Sequence, residues 1–123
     1  MGIEVRYADP SNPDNFKKLC DEKTRLFYAE TLPNPSLRVF PIGEVADIGE
    51  SLGIPLIVDN TACPIICKPI EHGAAIVMHS LTKYIGGHGT SIGGIIVDSG
   101  NFDWSKNKSR HPNIWEPDKS YHG

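Results

Sequence analysis

The sequence predicts an α/β fold built on a mostly parallel, doubly wound sheet. Two observations predict it. Short continuous apolar runs, Pro55-Leu56-Ile57-Val58 chief among them, recur along the chain, as strands buried on both faces require. Between them lie segments with apolar residues at three- and four-residue spacing, the period of a helix packed on a sheet. At 123 residues there is room for one domain and one core.

Taken in order, Ile3 to Ala8 reads as a strand, and Asn12-Pro13-Asp14 as a helix start with Asn12 as cap and Pro13 in the first turn. That helix runs into Phe16-Lys17-Lys18-Leu19. Arg25 to Ala29 is the next strand. The loop Glu30 to Ser36 is expected to be held extended by Pro33 and Pro35. A helix covers Ile42 to Leu52, with Ile42, Val45, Ile48 and Leu52 on one face and Gly53 as its stop. Pro55 to Val58 is a strand, Lys68 to Gly73 a further helix, Ala74 to Met78 a strand and Gly93 to Asp98 the last strand. Residues 1–100 thus form one α/β unit. Residues 101–123 carry Trp104, Trp115 and two prolines without a clear period, and read as an irregular C-terminal segment of the same domain.

Composition narrows the function classes. A net charge of −3 without a Lys/Arg cluster argues against a nucleic-acid surface. No apolar run approaches a membrane span, and Met1-Gly2-Ile3-Glu4-Val5 lacks the basic-then-apolar signal pattern. The expectation is a soluble, cytoplasmic protein. Cys20, Cys63 and Cys67 are odd in number and read as reduced thiols. Cys63 and Cys67 with His72 and His79 do not match a zinc spacing, so no metal site is expected.

The chemistry collects after strands. Ser80-Leu81-Thr82-Lys83-Tyr84-Ile85-Gly86-Gly87-His88-Gly89 begins where Ala74 to Met78 stops, and the carboxyl end of a parallel strand is where ligands bind. The Ser80 and Thr82 hydroxyls beside glycine-rich backbone suit a phosphate. Lys83 reads either as a phosphate counter-charge or as a nucleophile that forms a Schiff base with a carbonyl cofactor. Asp59 ends the preceding strand, where an acid can hold magnesium, cap a helix, or pair with a protonated ring nitrogen. Only the last role also uses a Schiff-base lysine. Pyridoxal phosphate needs that lysine, an acid on its ring nitrogen and donors for its phosphate, and the chain offers all three. His88 reads as support for the turn, and His79, ending a buried strand, as a hydrogen-bonded core histidine.

Three stretches carry a family resemblance: Val58-Asp59-Asn60-Thr61, Glu71-His72-Gly73-Ala74, and His79 through Gly94. Together they resemble the pyridoxal-phosphate-dependent trans-sulfuration (Cys/Met metabolism) enzymes. Gly86-Gly87-His88-Gly89-Thr90, the segment Ile96 to Trp104 and the ending Tyr121-His122-Gly123 are most similar to O-acetylhomoserine sulfhydrylases. Ala75, Leu81 and the short Thr61-to-Pro64 connection depart from the common pattern.

The resemblance implies a fragment of the large cofactor-binding domain of a fold-type I enzyme, with Lys83 as the Schiff-base lysine and later proton shuttle. It also implies Asp59 on the pyridine nitrogen, Ser80 and Thr82 on the phosphate, and Asn34 beside the ring hydroxyl. The implied reaction is γ-replacement, O-acetyl-L-homoserine plus sulfide giving L-homocysteine plus acetate. Cystathionine γ-synthase or γ-lyase chemistry shares these residues. Family members are homo-oligomers, dimers of dimers. They are about three times as long, so a partial chain is expected, with exposed sheet edges and uncovered apolar faces. Such a chain is expected to be inactive alone, or to act as a non-catalytic fragment that binds a full-length homologue.

Overall fold

A computed structural model describes residues 2–121. Four strands form one sheet in the order β1-β2-β3-β4: β1 is Phe27–Glu30, β2 Leu56–Asp59, β3 Ile76–Ser80 and β4 Gly94–Asp98. The first three are parallel, with Phe27 opposite Leu56 and Val58 opposite Val77. β4 runs antiparallel, pairing Ile76 with Asp98 and Ser80 with Gly94. The expected mostly parallel sheet is present, and its last strand is reversed because the glycine-rich turn after β3 returns the chain without a crossover helix.

Side-chain alternation sorts the sheet into two faces. Phe27, Leu56, Val58 and Val77 form one, and they are buried. Against them packs helix α2, Ile42–Leu52, through Ile42, Val45 and Ala46. Each such Phe, Leu, Ile or Val side chain taken fully out of water contributes roughly 1.5 to 3 kcal/mol. α2 also contacts α1, Asp14–Lys18, and the 3₁₀ turn Pro69–His72, so these helical segments share one side of the sheet. Gly53 ends α2 with φ 65° and its N–H on the Glu50 carbonyl, the left-handed stop expected of glycine. Gly49 is required for a different reason. A Cβ there would lie 2.4 Å from the Ile54 carbonyl oxygen, so only glycine lets the chain turn back so closely onto the helix.

The opposite face carries Tyr28, Glu30, Ile57, Asp59, Ile76, Met78, Ser80 and Ile96, by the same alternation. It is open. Ile96 is 73% exposed and Tyr28 51%, in keeping with the uncovered apolar faces that the sequence led one to expect.

Several elements differ from expectation. Ile3 to Ala8 forms no strand, with Ile3 77% and Tyr7 91% exposed. A strand exists through its partner, and among the described residues this segment pairs with none; Arg6 holds it instead, through Glu4, Asp21 and the Leu19 carbonyl. Asn12 closes an Asx turn on the Asp14 amide at 3.0 Å, and Pro13 stands just before the first helical residue. The Pro33-to-Ser36 loop turns rather than running extended, closed by the Leu37 amide on the Pro33 carbonyl at 2.8 Å. The helix expected at Lys68 to Gly73 is a single 3₁₀ turn.

The C-terminal segment is tied down. It includes the short helix α3, Pro112–Trp115. The Arg110 guanidinium donates to the carbonyls of Asp21, Glu22 and Thr24, and the Lys106 ammonium to that of Glu50 at 2.7 Å. Of the Tyr121-His122-Gly123 ending, His122 and Gly123 lie outside the described residues. Among the described residues no helix is long and apolar enough to cross a membrane.

Candidate active site

The carboxyl ends of β1, β2 and β3 lie side by side because the three strands are parallel neighbours, and a ladder of hydrogen bonds holds them in step. The Thr31 amide donates to the Asp59 carbonyl at 3.0 Å and the Asn60 amide to the Met78 carbonyl at 2.9 Å. The Ser80 amide donates to the Thr61 hydroxyl at 2.8 Å. Asn60, 1% exposed, accepts from the Thr31 hydroxyl at 2.7 Å and donates to the carbonyls of Cys63 and Cys67. The loop after β2 is thereby pinned to the strand ends.

On this frame Asp59 and Ser80 share the open face. Asp59 pairs with Met78, two residues before Ser80 on the same face, which separates their Cα atoms by about 8 Å from strand spacing and rise. One Asp59 oxygen accepts from the Thr61 amide at 2.9 Å and the other from the Tyr28 hydroxyl at 3.4 Å. Burial pushes the Tyr28 phenol up, and the negative charges of Asp59 and Glu30 push it the same way. The Ser80 hydroxyl has no hydrogen-bond partner among the described residues.

Lys83 lies in the turn that follows, Leu81–Ile85, exposed and without an ion pair among the described residues. The turn is wide, its Gly86 amide reaching back five residues to the Leu81 carbonyl at 2.8 Å. At Lys83 the backbone leaves the helical region, with φ −96° and ψ −117°. The His88 ring nitrogen lies 2.9 Å from the Gly86 carbonyl, the turn-supporting position expected of it. Thr82 is engaged: its hydroxyl donates to the Gly93 carbonyl at 3.3 Å and accepts from the Gly93 amide at 3.1 Å. Donating to a phosphate means exchanging that carbonyl. Asn34 is exposed in the turn after β1, its backbone amide on a Glu30 carboxylate oxygen at 3.4 Å.

The structure therefore brings Asn34, Asp59, Ser80, Thr82 and Lys83 to the carboxyl ends of three adjacent strands. Sequence reasoning missed Tyr28, Asn60 and Thr61. The alternation of β1 could have found Tyr28, because it places that ring on the same face as Asp59. A cavity of about 370 Å³, lined by Asn60, Cys67, Ile70, Val77 and His79 among others, lies on the other, helix-bearing side. His79 Nδ1 is buried there without a hydrogen-bond partner among the described residues. The hydrogen-bonded core histidine expected at that position is not what forms, since the side chains around it are mostly apolar.

The family model of Cys/Met metabolism PLP-dependent enzymes matches residues 1–121. The chain belongs to that family. An O-acetyl-L-homoserine sulfhydrylase of Leptospira meyeri is 52% identical over 124 residues, covering all of this chain and 28% of the relative. A homocysteine/cysteine synthase of Saccharomyces cerevisiae is 48% identical over 125 residues, again all of this chain and 28% of the relative. A solved chain described as an O-acetylhomoserine (thiol)-lyase of Campylobacter jejuni, with N′-pyridoxyl-lysine-5′-monophosphate, superposes with a TM-score of 0.93. Identity to it is 36%, over 99% of this chain and 30% of that one. The chain thus spans less than a third of the length of these relatives.

Pyridoxal phosphate is the family's cofactor, and the residues present fit it. An acid held by two donors, and, among the described residues, a hydroxyl without a partner one strand over and a lysine without an ion pair in the next turn, meet the three requirements of a ring nitrogen, a phosphate and an aldehyde.

Proposed function

We propose that this chain supplies the lysine-bearing part of the active site of a cytoplasmic, homo-oligomeric enzyme that converts O-acetyl-L-homoserine and sulfide to L-homocysteine and acetate. The observation that carries the proposal is the grouping of Asp59, Ser80 and Lys83 on neighbouring strand ends. Relatives at 52% and 48% identity, named as a sulfhydrylase and a homocysteine/cysteine synthase, favour this reaction over cystathionine γ-synthase or γ-lyase chemistry.

Bound pyridoxal phosphate supplies an electron sink for charge that develops on the amino-acid carbons. Asp59, as a carboxylate, would accept a hydrogen bond from the protonated ring nitrogen and so keep the ring cationic and electron-withdrawing. Ser80 donates its hydroxyl to the phosphate; Thr82 does so by releasing Gly93. Asn34 would meet the ring hydroxyl and orient it. Lys83, released as a neutral amine, takes the proton from Cα and moves it during elimination of acetate and addition of sulfide. It is suited to that only as a free base.

The test is a chimera in which these 123 residues replace the matching segment of the Leptospira meyeri sulfhydrylase. The expected result is homocysteine formation from O-acetyl-L-homoserine and sulfide, abolished by Lys83→Ala in a chimera that remains folded. A folded, cofactor-loaded chimera that makes cystathionine from cysteine but no homocysteine from sulfide overturns the proposed reaction.

A further inference from the structure

Asp59 has two oxygens, and the structure gives each a separate donor. The Thr61 amide is part of the backbone two residues on, and it holds Oδ1 at 2.9 Å. Alone it leaves the carboxylate free to swing about that contact, because the terminal torsion of an aspartate is soft. The second donor comes from another strand. Tyr28 stands opposite Ile57, so Asp59 is its diagonal neighbour on the same face, at a distance an aromatic side chain spans. The Tyr28 hydroxyl reaches Oδ2 at 3.4 Å. Two donors on two oxygens fix the plane of the group.

We propose that Tyr28 is a positioning residue that orients the Asp59 carboxylate toward the cofactor's ring nitrogen. The inference rests on the reading of Asp59 as the ring-nitrogen partner. Tyr28 itself touches no reacting atom. Its phenol is suited to the task because burial and the charges of Asp59 and Glu30 all favour the protonated form, so it remains a donor wherever Asp59 is ionised. A second consequence is electrostatic. A phenol that shares the carboxylate's charge moderates how tightly Asp59 holds the proton of the ring nitrogen.

The contact is long for a hydroxyl on a carboxylate and lies on an open face, so its loss is expected to weaken cofactor binding roughly fivefold rather than abolish it. The experiment is a double-mutant cycle on pyridoxal phosphate affinity, measured by equilibrium dialysis in the chimera, with Tyr28→Phe, Asp59→Asn and the pair. If Tyr28 acts through Asp59, Tyr28→Phe weakens binding in the parent and changes nothing further in the Asp59→Asn background. Equal losses in both backgrounds, or no loss in the parent, overturn the proposal. Asp59→Asn that leaves affinity unchanged overturns the underlying reading of Asp59 instead, so the two failures are distinct. In the ligand-free 123-residue chain, Asp59→Asn is also expected to lower the pH at which the Tyr28 ring carbon titrates by NMR. An unmoved titration contradicts the contact.

Discussion

The Ser80 amide donates to the Thr61 hydroxyl at 2.8 Å, joining the end of β3 to the residue two places beyond Asp59. One short contact thus fixes the spacing between the proposed phosphate donor and the proposed ring-nitrogen partner. Thr61→Val keeps the shape of the side chain and removes the acceptor from a part-buried amide. The expected cost is about 1 to 2 kcal/mol of stability by urea unfolding, most of it recovered in Thr61→Ser. A Val variant as stable as the parent contradicts this role.

Asn60 is the second brace. It is fully buried and answers the Thr31 hydroxyl and the carbonyls of Cys63 and Cys67. Asn60→Ala leaves those groups without their partner, and a loss of roughly 2 to 4 kcal/mol is expected in the same unfolding measurement.

Much of the fold was legible where one segment's own pattern decides its structure. Helix α2 spans Ile42–Leu52 and stops at Gly53, as its spacing and its glycine require. The core strands fall within two residues of their apolar runs, because burial of those runs is what forms them. What failed depended on partners. Ile3 to Ala8 has apolar residues alternating with Glu4 and Arg6, yet no neighbouring strand pairs with it. The reversal of β4 follows from how the Gly86-to-Gly93 segment turns, which periodicity does not encode. For the proposed site, Asp59, Ser80 and Lys83 were legible as candidates from their position at or just after a strand end. Tyr28 and Thr61 did not, because their roles are contacts between strands.

Gly86 controls the turn that carries Lys83. A Cβ at that position would lie 2.5 Å from the Leu81 carbonyl oxygen, the acceptor of Gly86's own amide. Gly86→Ala is therefore expected to open the turn and reduce cofactor occupancy of the chimera severalfold. Because the turn is exposed, the melting temperature is expected to change little. Unchanged occupancy in this variant contradicts the account.

His111 gives the chain a pH response. Burial holds its imidazole below the usual histidine range, Arg25 and Arg110 add to the shift, and the Gly53 carbonyl opposes it. Trp104 packs edge-on against its ring at 5.3 Å. A lowered folded-state pKa means that the unfolded chain binds the proton more readily below about pH 6.5. The stabilisation is therefore present above that pH and lost as the pH falls through the folded-state value. His111→Gln is expected to flatten the loss of stability between pH 7.5 and 5.5, approximately the window of that titration, compared with the parent. Parallel curves contradict this.

The central claim is that Lys83 takes the cofactor. Borohydride reduction of the pyridoxal-phosphate-loaded chimera, followed by peptide mass mapping, tests it most directly. The expected result is a pyridoxyl adduct on Lys83 that disappears in Lys83→Ala without moving to another lysine. An adduct on Lys68 or Lys106, with Lys83 unmodified, would contradict it.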